Sequence, residues 1–141
     1  MIRAILDTNV ILDIALKRQP FFKHSSKIFD LIDDQLLEGY VTASSITDIY
    51  YIASKQKDKL QARAFLLHLI QVLEIIGVDK EIILTALESD VPDFEDAIQA
   101  FSAKTNLIDL IITRNIQDFS KSGLKVMDPQ DFINHIESSK F

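Results

Sequence analysis

Four aspartates, Asp7, Asp48, Asp96 and Asp118, stand at the beginnings of connections or first helical turns in a chain of 141 residues that has no cysteine. Carboxylates crowded into one place repel, because each disfavours the ionised form of its neighbours. A cation relieves that cost. With no Cys in the chain and no His near these positions in sequence, the ligands would all be oxygen, which suits Mg²⁺ or Mn²⁺. Sites of that kind take few protein carboxylates and keep several waters. One such water is a nucleophile for a phosphodiester, while the ions offset charge building on the leaving oxygen.

Each aspartate also has a plainer explanation. Asp7-Thr8-Asn9 could cap the next helix. Asp93 could be a helix N-cap, with Asp96 three residues on as its capping-box-like partner. Asp48 could be an ordinary surface residue of its helix, and Asp118 an exposed turn residue. The residues taken singly leave both readings open.

The elements around them decide whether they can meet. Ile2 to Leu6 is a short apolar run ended by Asp7, which fits a buried strand with the carboxylate at its carboxyl end. Ligand crevices of open parallel sheets lie at that edge. Thr8 is the expected cap of a helix carrying Ile11 and Ile14 and interrupted at about Gln19 by Pro20. A helix from about Lys23 to Leu37 follows, with Phe29, Ile32 and Leu36 on one stripe and Glu38-Gly39 closing it.

Tyr40 to Thr42 is a β-prone second strand, and Ser44 or Ser45 caps a helix to about Lys55 that carries Asp48. After a helix marked by Ala62, Phe65 and Leu69, Val72 to Val78 reads as a third strand, and Asp79 caps a helix to about Glu88. Phe94, Ala97, Ile98 and Phe101 form a helical stripe, Leu107 to Thr113 a fourth strand and Leu124 to Met127 a fifth. Asp128-Pro129 opens the last helix. Strands alternating with helices predict one domain over residues 1–141: a three-layer α/β/α sandwich around a mainly parallel sheet of about five strands.

Composition narrows the chemistry further. The chain is 48% hydrophobic, enough for one continuous core. The absence of Cys excludes disulfides, thiolate metal sites and cysteine nucleophiles. Arg3 and Asp7 break up the N-terminal apolar run before it resembles a signal peptide, and no apolar stretch approaches the roughly 20 residues of a membrane span. The expectation is a cytoplasmic protein with no membrane contact.

The net charge of −6 sits awkwardly with nucleic-acid binding, although acidic excess is what a cation-filled pocket requires. Basic residues cluster locally, as Lys17, Arg18 and Lys23 and as Lys55, Lys57, Lys59 and Arg63, either as solvated faces or as phosphate contacts. His24, His68 and His135 lack metal-ligand spacing. Phe21-Phe22 and Tyr50-Tyr51 read as core or subunit contacts rather than platforms for bases. No Gly-rich phosphate loop is present.

Ile5-Leu6-Asp7-Thr8-Asn9-Val10, Asp93-Phe94-Glu95-Asp96-Ala97, Ile111-Ile112-Thr113-Arg114-Asn115 and Asp118-Phe119, in that order, resemble the PIN-domain family of metal-dependent ribonucleases. Many of its members are toxins of VapBC-type toxin–antitoxin pairs. The resemblance runs over nearly the whole chain and implies a PIN-like fold. It places Asp7 and Asp96 on the family's metal-binding acids and Asp48 near its second acid, usually a Glu on the same helix. Asp48 is one methylene shorter.

By the same resemblance the fourth acidic position is Asn115 or Asp118. Asp118 is preferred as the charged member, positioning water or a second metal. Thr8, Asn9 and Thr113, with Asn115 beside them, are similar to the residues that orient the acids. The implied activity is Mg²⁺- or Mn²⁺-dependent endonucleolytic cleavage of RNA, with a small antitoxin as partner and apolar helices that suit a homodimer. The alternative is a weak or inactive PIN-like module that binds RNA or protein. A phosphotransferase using Asp7 as nucleophile, as in haloacid dehalogenase-like phosphatases, is disfavoured because the expected second Asp is Asn9.

Overall fold

In the computed structural model, which describes residues 1–139, β1 (Ile2–Leu6) is the middle strand of a five-stranded sheet. β2 (Leu37–Thr42) and β3 (Glu74–Ile76) extend it on one side, β4 (Leu110–Ile112) and β5 (Lys125–Met127) on the other. Every pairing is parallel and the strand order is β3-β2-β1-β4-β5. The order reverses between β1 and β4, where Ile5 pairs with Ile111 and Leu6 with Ile112. Connections on the two sides therefore leave in opposite directions, and a crevice opens beyond the carboxyl ends of these two strands.

Among the described residues, seven α-helices cover both faces of the sheet: α1 (Thr8–Ala15), α2 (Phe22–Asp33), α3 (Ala43–Gln56), α4 (Lys59–Val72), α5 (Lys80–Glu88), α6 (Phe94–Thr105) and α7 (Pro129–Ser138). Alternation along β1 divides them. Ala4 and Leu6 pack with Ile11, Ile28, Ile49, Leu69 and Phe132, so α1, α2, α3, α4 and α7 share one face. Ile5 points the other way, into a cluster with Ala103 of α6 and Phe119. α5 packs against α6 through Ile82, Ala86, Ala97 and Ile98. This is the expected α/β/α sandwich. No helix among the described residues is long and apolar enough to cross a membrane.

Several boundaries differ from expectation. α2 ends at Asp33 rather than Leu37, and β2 starts at Leu37. Gln35, at φ 62°, makes the left-handed turn that Gly39 was expected to make, and Leu36 is exposed. Pairing decides it: Leu37, Glu38, Gly39 and Tyr40 are matched to Ile2, Arg3, Ala4 and Ile5 of the central strand, a tertiary gain that local helical spacing does not supply.

Gly39 has a packing role instead. A Cβ there would lie 2.7 Å from Leu73 Cδ2 and 2.8 Å from Ile32 Cδ1. Gly39→Ala is therefore expected to destabilise the fold by about 1–3 kcal/mol through overpacking, seen as a lower melting temperature. An unchanged melt would mean that Leu73 and Ile32 give way without strain.

Elsewhere, α1 stops at Ala15, not near Gln19, with Lys17 at φ 51°. β3 is shorter than Val72–Val78 because Val72 closes α4. β4 starts at Leu110, since Leu107 and its positive φ belong to the turn after α6. The caps differ too. Asp7, not Thr8, occupies the position before α1, and Thr42, not Ser44 or Ser45, caps α3 by accepting from the Ser45 N–H.

Candidate metal centre at the strand-order reversal

Asp7 leaves β1 at the crevice and is buried. Its N–H donates to the Ile112 carbonyl (3.0 Å), so the backbone continues the β1–β4 ladder by one residue and fixes where the side chain emerges. The carboxylate is held on both oxygens. The Thr113 hydroxyl donates to Oδ2 at 2.8 Å and the Gln99 amide to Oδ1 at 3.1 Å. Burial raises the proton affinity of Asp7, while the Thr113 and Gln99 bonds and the Thr8 and Asn9 amides at the start of α1 partly offset it.

Three further carboxylates join Asp7 around a cavity of about 230 Å³: Asp48 from α3 and Glu95 and Asp96 from the first turn of α6. Local sequence explains their placement. Asp93 caps α6, accepting from the Asp96 N–H at 3.0 Å, which starts the helix so that Glu95, Asp96 and Gln99 line the crevice. Asp96 is thus the capping partner as well as a cavity residue. The two readings of it are compatible.

α3 is tied to α1 at its start, where the Thr8 hydroxyl donates to Ser45 Oγ (2.8 Å) and Ser45 in turn bonds Thr42. Thr8 therefore couples α1, which follows Asp7, to α3, which carries Asp48, rather than touching a carboxylate through its hydroxyl. Asn9 lies in the cavity wall.

The electrostatics are those of a charge cluster. Desolvation, then the charges of Asp7, Asp93, Asp118 and Glu95, push the Asp96 carboxyl up to about 7. Glu95 is raised by partial desolvation, then by the charges of Asp48 and Asp93, a hydrogen bond with Asp48, and the charge of Asp7. Asp118 is exposed on the 3₁₀ turn Ile116–Phe119 and outside the cavity wall, yet near enough to act on Asp96. Asn115 also stands outside. Its N–H donates to the Thr113 hydroxyl oxygen (2.9 Å), steadying the group that holds Asp7.

Among the described residues no three His, Asp or Glu side chains close into a ready-made cage around one point. The donor set nonetheless fits a hard cation. It is all oxygen, desolvation and then the neighbouring charges make it hold protons tightly, and Gln99 Oε1 is buried at the wall with no hydrogen-bond partner. A cation's retained water would supply one.

Glu95 and Gln99 were missed from sequence. Gln99 had a signal, since it stands three residues beyond Asp96 and so shares its helix face. Glu95 lies in the first turn of α6, where an acid complements the helix dipole, so its type and place carry no separate signal. Of Tyr50-Tyr51, Tyr50 is half-buried, whereas Tyr51 is exposed and lines this cavity rather than the core.

Residues 3–117 match the family model described as PIN domain. Ribonuclease VapC1 of Aquifex aeolicus (strain VF5) is 28% identical over 135 residues, covering 92% of each chain. Among the solved structures that share the fold, two that are each 19% identical to this chain illustrate it. One is a DNA-bound VapBC from Salmonella typhimurium, with TM-score 0.70, covering 92% of this chain and 99% of that one. The other is a toxin–antitoxin complex from Klebsiella pneumoniae, with TM-score 0.65, covering 89% and 97%. With the family model spanning most of its length and a sheet whose order reverses beside a cluster of acids, the chain belongs to the PIN domain family.

Proposed function

We propose that this protein is a Mg²⁺- or Mn²⁺-dependent endoribonuclease and the toxin of a toxin–antitoxin pair. The observation that carries the reading is the meeting of Asp7, Asp48 and Asp96, distant in sequence, around one cavity at the β1–β4 reversal, with Glu95 added to them. Similarity to a relative named as a ribonuclease and to a solved toxin–antitoxin complex supports it.

Asp7, Asp48 and Asp96 are the proposed metal ligands, with Glu95 close enough to Asp48 to share the load left by its short side chain. A divalent ion bound there would activate water and offset charge on the phosphodiester. The remaining work belongs to the chain. Thr113 and Gln99 fix Asp7 and keep its charge in place, Asn115 fixes Thr113, and Asp118, near enough for its charge to act on Asp96, would position water from the rim. Exposed apolar side chains on α4 and α5, among them Leu67, Ile70, Leu84 and Leu87, offer area for a protein partner.

The test is a Mn²⁺ titration of single-stranded RNA cleavage by the native protein and Gln99→Leu. The native protein is expected to cut RNA with Mn²⁺ and to stop with EDTA. Gln99→Leu is expected to need about 10- to 100-fold more Mn²⁺, the usual loss when a group orienting a ligand is removed. The shorter Asp48 and the net charge of −6 favour a second reading, an inactive module. RNA that is bound but left uncut at every Mn²⁺ concentration would establish that one instead.

A further inference from the structure

A second cavity, of about 300 Å³, opens one residue away from the carboxylates in sequence: Arg114 lines it, while its neighbour Thr113 donates to Asp7. Flat apolar groups form its walls, Pro20 and Phe21 ahead of α2 and Pro129 at the start of α7. Phe21, expected in the core or a subunit contact, is 38% exposed. The Arg114 guanidinium lies 3.8 Å from the centroid of its ring, which holds the ring in place. Arg114 is itself held by Asp13 through Nε and Nη2, leaving Nη1 without a partner among the described residues.

The polar groups are mixed. Ser25 is fully buried, and its hydroxyl has no hydrogen-bond partner, a costly state for a native side chain. His24 can donate or accept, and Asp128 contributes a carboxylate whose Oδ1 already caps α7. A phosphate would meet repulsion from Asp128. A nucleobase edge, which carries donors and acceptors side by side, suits the set, and its faces suit Phe21 and the prolines. Lys17 and Lys23, exposed and flanking Pro20, Phe21 and His24 in sequence, put positive charge on the same segment, where a sugar–phosphate chain would meet it.

We propose that this cavity is a nucleobase subsite, taking one unstacked base of a single-stranded RNA whose adjoining backbone runs to the carboxylate cavity. The proposal rests on the nuclease reading for its substrate. It explains the orphan Ser25 hydroxyl and the clamped, exposed Phe21, neither of which the metal centre uses.

Anisotropy of a fluorescein-labelled eight-nucleotide single-stranded RNA, measured in EDTA so that no cutting intervenes, tests it. Phe21→Ala, with its melting temperature followed alongside because the ring stacks on Arg114, is expected to weaken binding about tenfold, the loss of one stacked base. Ser25→Ala is expected to weaken binding about threefold while raising the melting temperature, because an unpaired buried hydroxyl is removed. With Mn²⁺ present, both variants are expected to raise KM more than they lower kcat.

Variants that bind as tightly as the native protein, alongside native cleavage, would overturn the subsite and leave the nuclease standing. Loss of binding in Phe21→Ala from a native protein that never cuts would do the reverse. Native protein with no affinity for the RNA, or variants that keep RNA and lose only a protein partner, would overturn the subsite too.

Discussion

Asp96→Asn is expected to lower Mn²⁺-dependent RNA cleavage on the order of 100- to 1000-fold, as deletion of one preorganised electrostatic element does, and at the same time to stabilise the metal-free fold at neutral pH. The two effects share one cause. Partial burial and the charges of Asp7, Asp93, Asp118 and Glu95 raise the Asp96 carboxyl to about 7, against 3.8 for an ordinary aspartate. The folded chain therefore holds a proton that the unfolded chain releases at lower pH. Stability from this group is fully present below about 3.8 and is lost as pH rises through about 7.

Asn carries no charge to desolvate or repel, so at pH 8 in EDTA the variant is expected to gain on the order of 1–2 kcal/mol after solvent screening is allowed for. Asp7 and Glu95 are raised as well, so the pH slope shrinks without vanishing. Melts of both proteins at pH 5 and pH 8 check it. Equal slopes would mean that Asp96 is not part of a strained cluster. Cleavage that survives the substitution would remove Asp96 from the proposed ligands.

Arg114→Ala is the change expected to damage the fold most. Asp13 is wholly buried in α1 and its carboxylate is gripped by Arg114 from two atoms, Nε to Oδ2 at 2.6 Å and Nη2 to Oδ1 at 3.1 Å. Arg18 approaches no closer than 3.8 Å and cannot replace that fork. Removing Arg114 leaves a buried charge with weak compensation, which costs about 3–5 kcal/mol. Arg114→Lys should recover part of the loss, since a point charge replaces the planar fork. The double change Asp13→Leu with Arg114→Leu should recover more, because no buried charge remains. Denaturant midpoints of the three variants rank them. A single Arg114→Ala within about 0.5 kcal/mol of the native protein would show that water already reaches Asp13.

The sheet was legible because its strands are short apolar runs separated by helical stripes, and β1 was legible together with its terminal Asp7 because the polarity switch there is abrupt. Asp48 and Asp96 followed from topology, since helices that begin at one sheet edge bring their first turns together. Less visible were interactions between polar residues remote in sequence. Asp13 sits among apolar neighbours in α1, and nothing local announces that Arg114 pairs with it. The α2–β2 boundary was lost to a tertiary preference, because a stripe through Leu36 describes a helix until β1 is present to pair with Leu37. Glu95 was hidden by a respectable local role at the start of α6.

The hydrogen bond from Thr113 to Asp7 joins positions 106 residues apart, and β4, which aims Thr113, is itself braced by β5. A growing polypeptide carries Asp7 for 106 residues before Thr113 is added, and Met127 of β5 comes later still. Contacts of such long sequence separation form late, after loop closure has been met. The grip on the Asp7 carboxylate is therefore completed only after Thr113 and the β5 strand that braces β4 have been made, with α1 to α4 synthesised well before them.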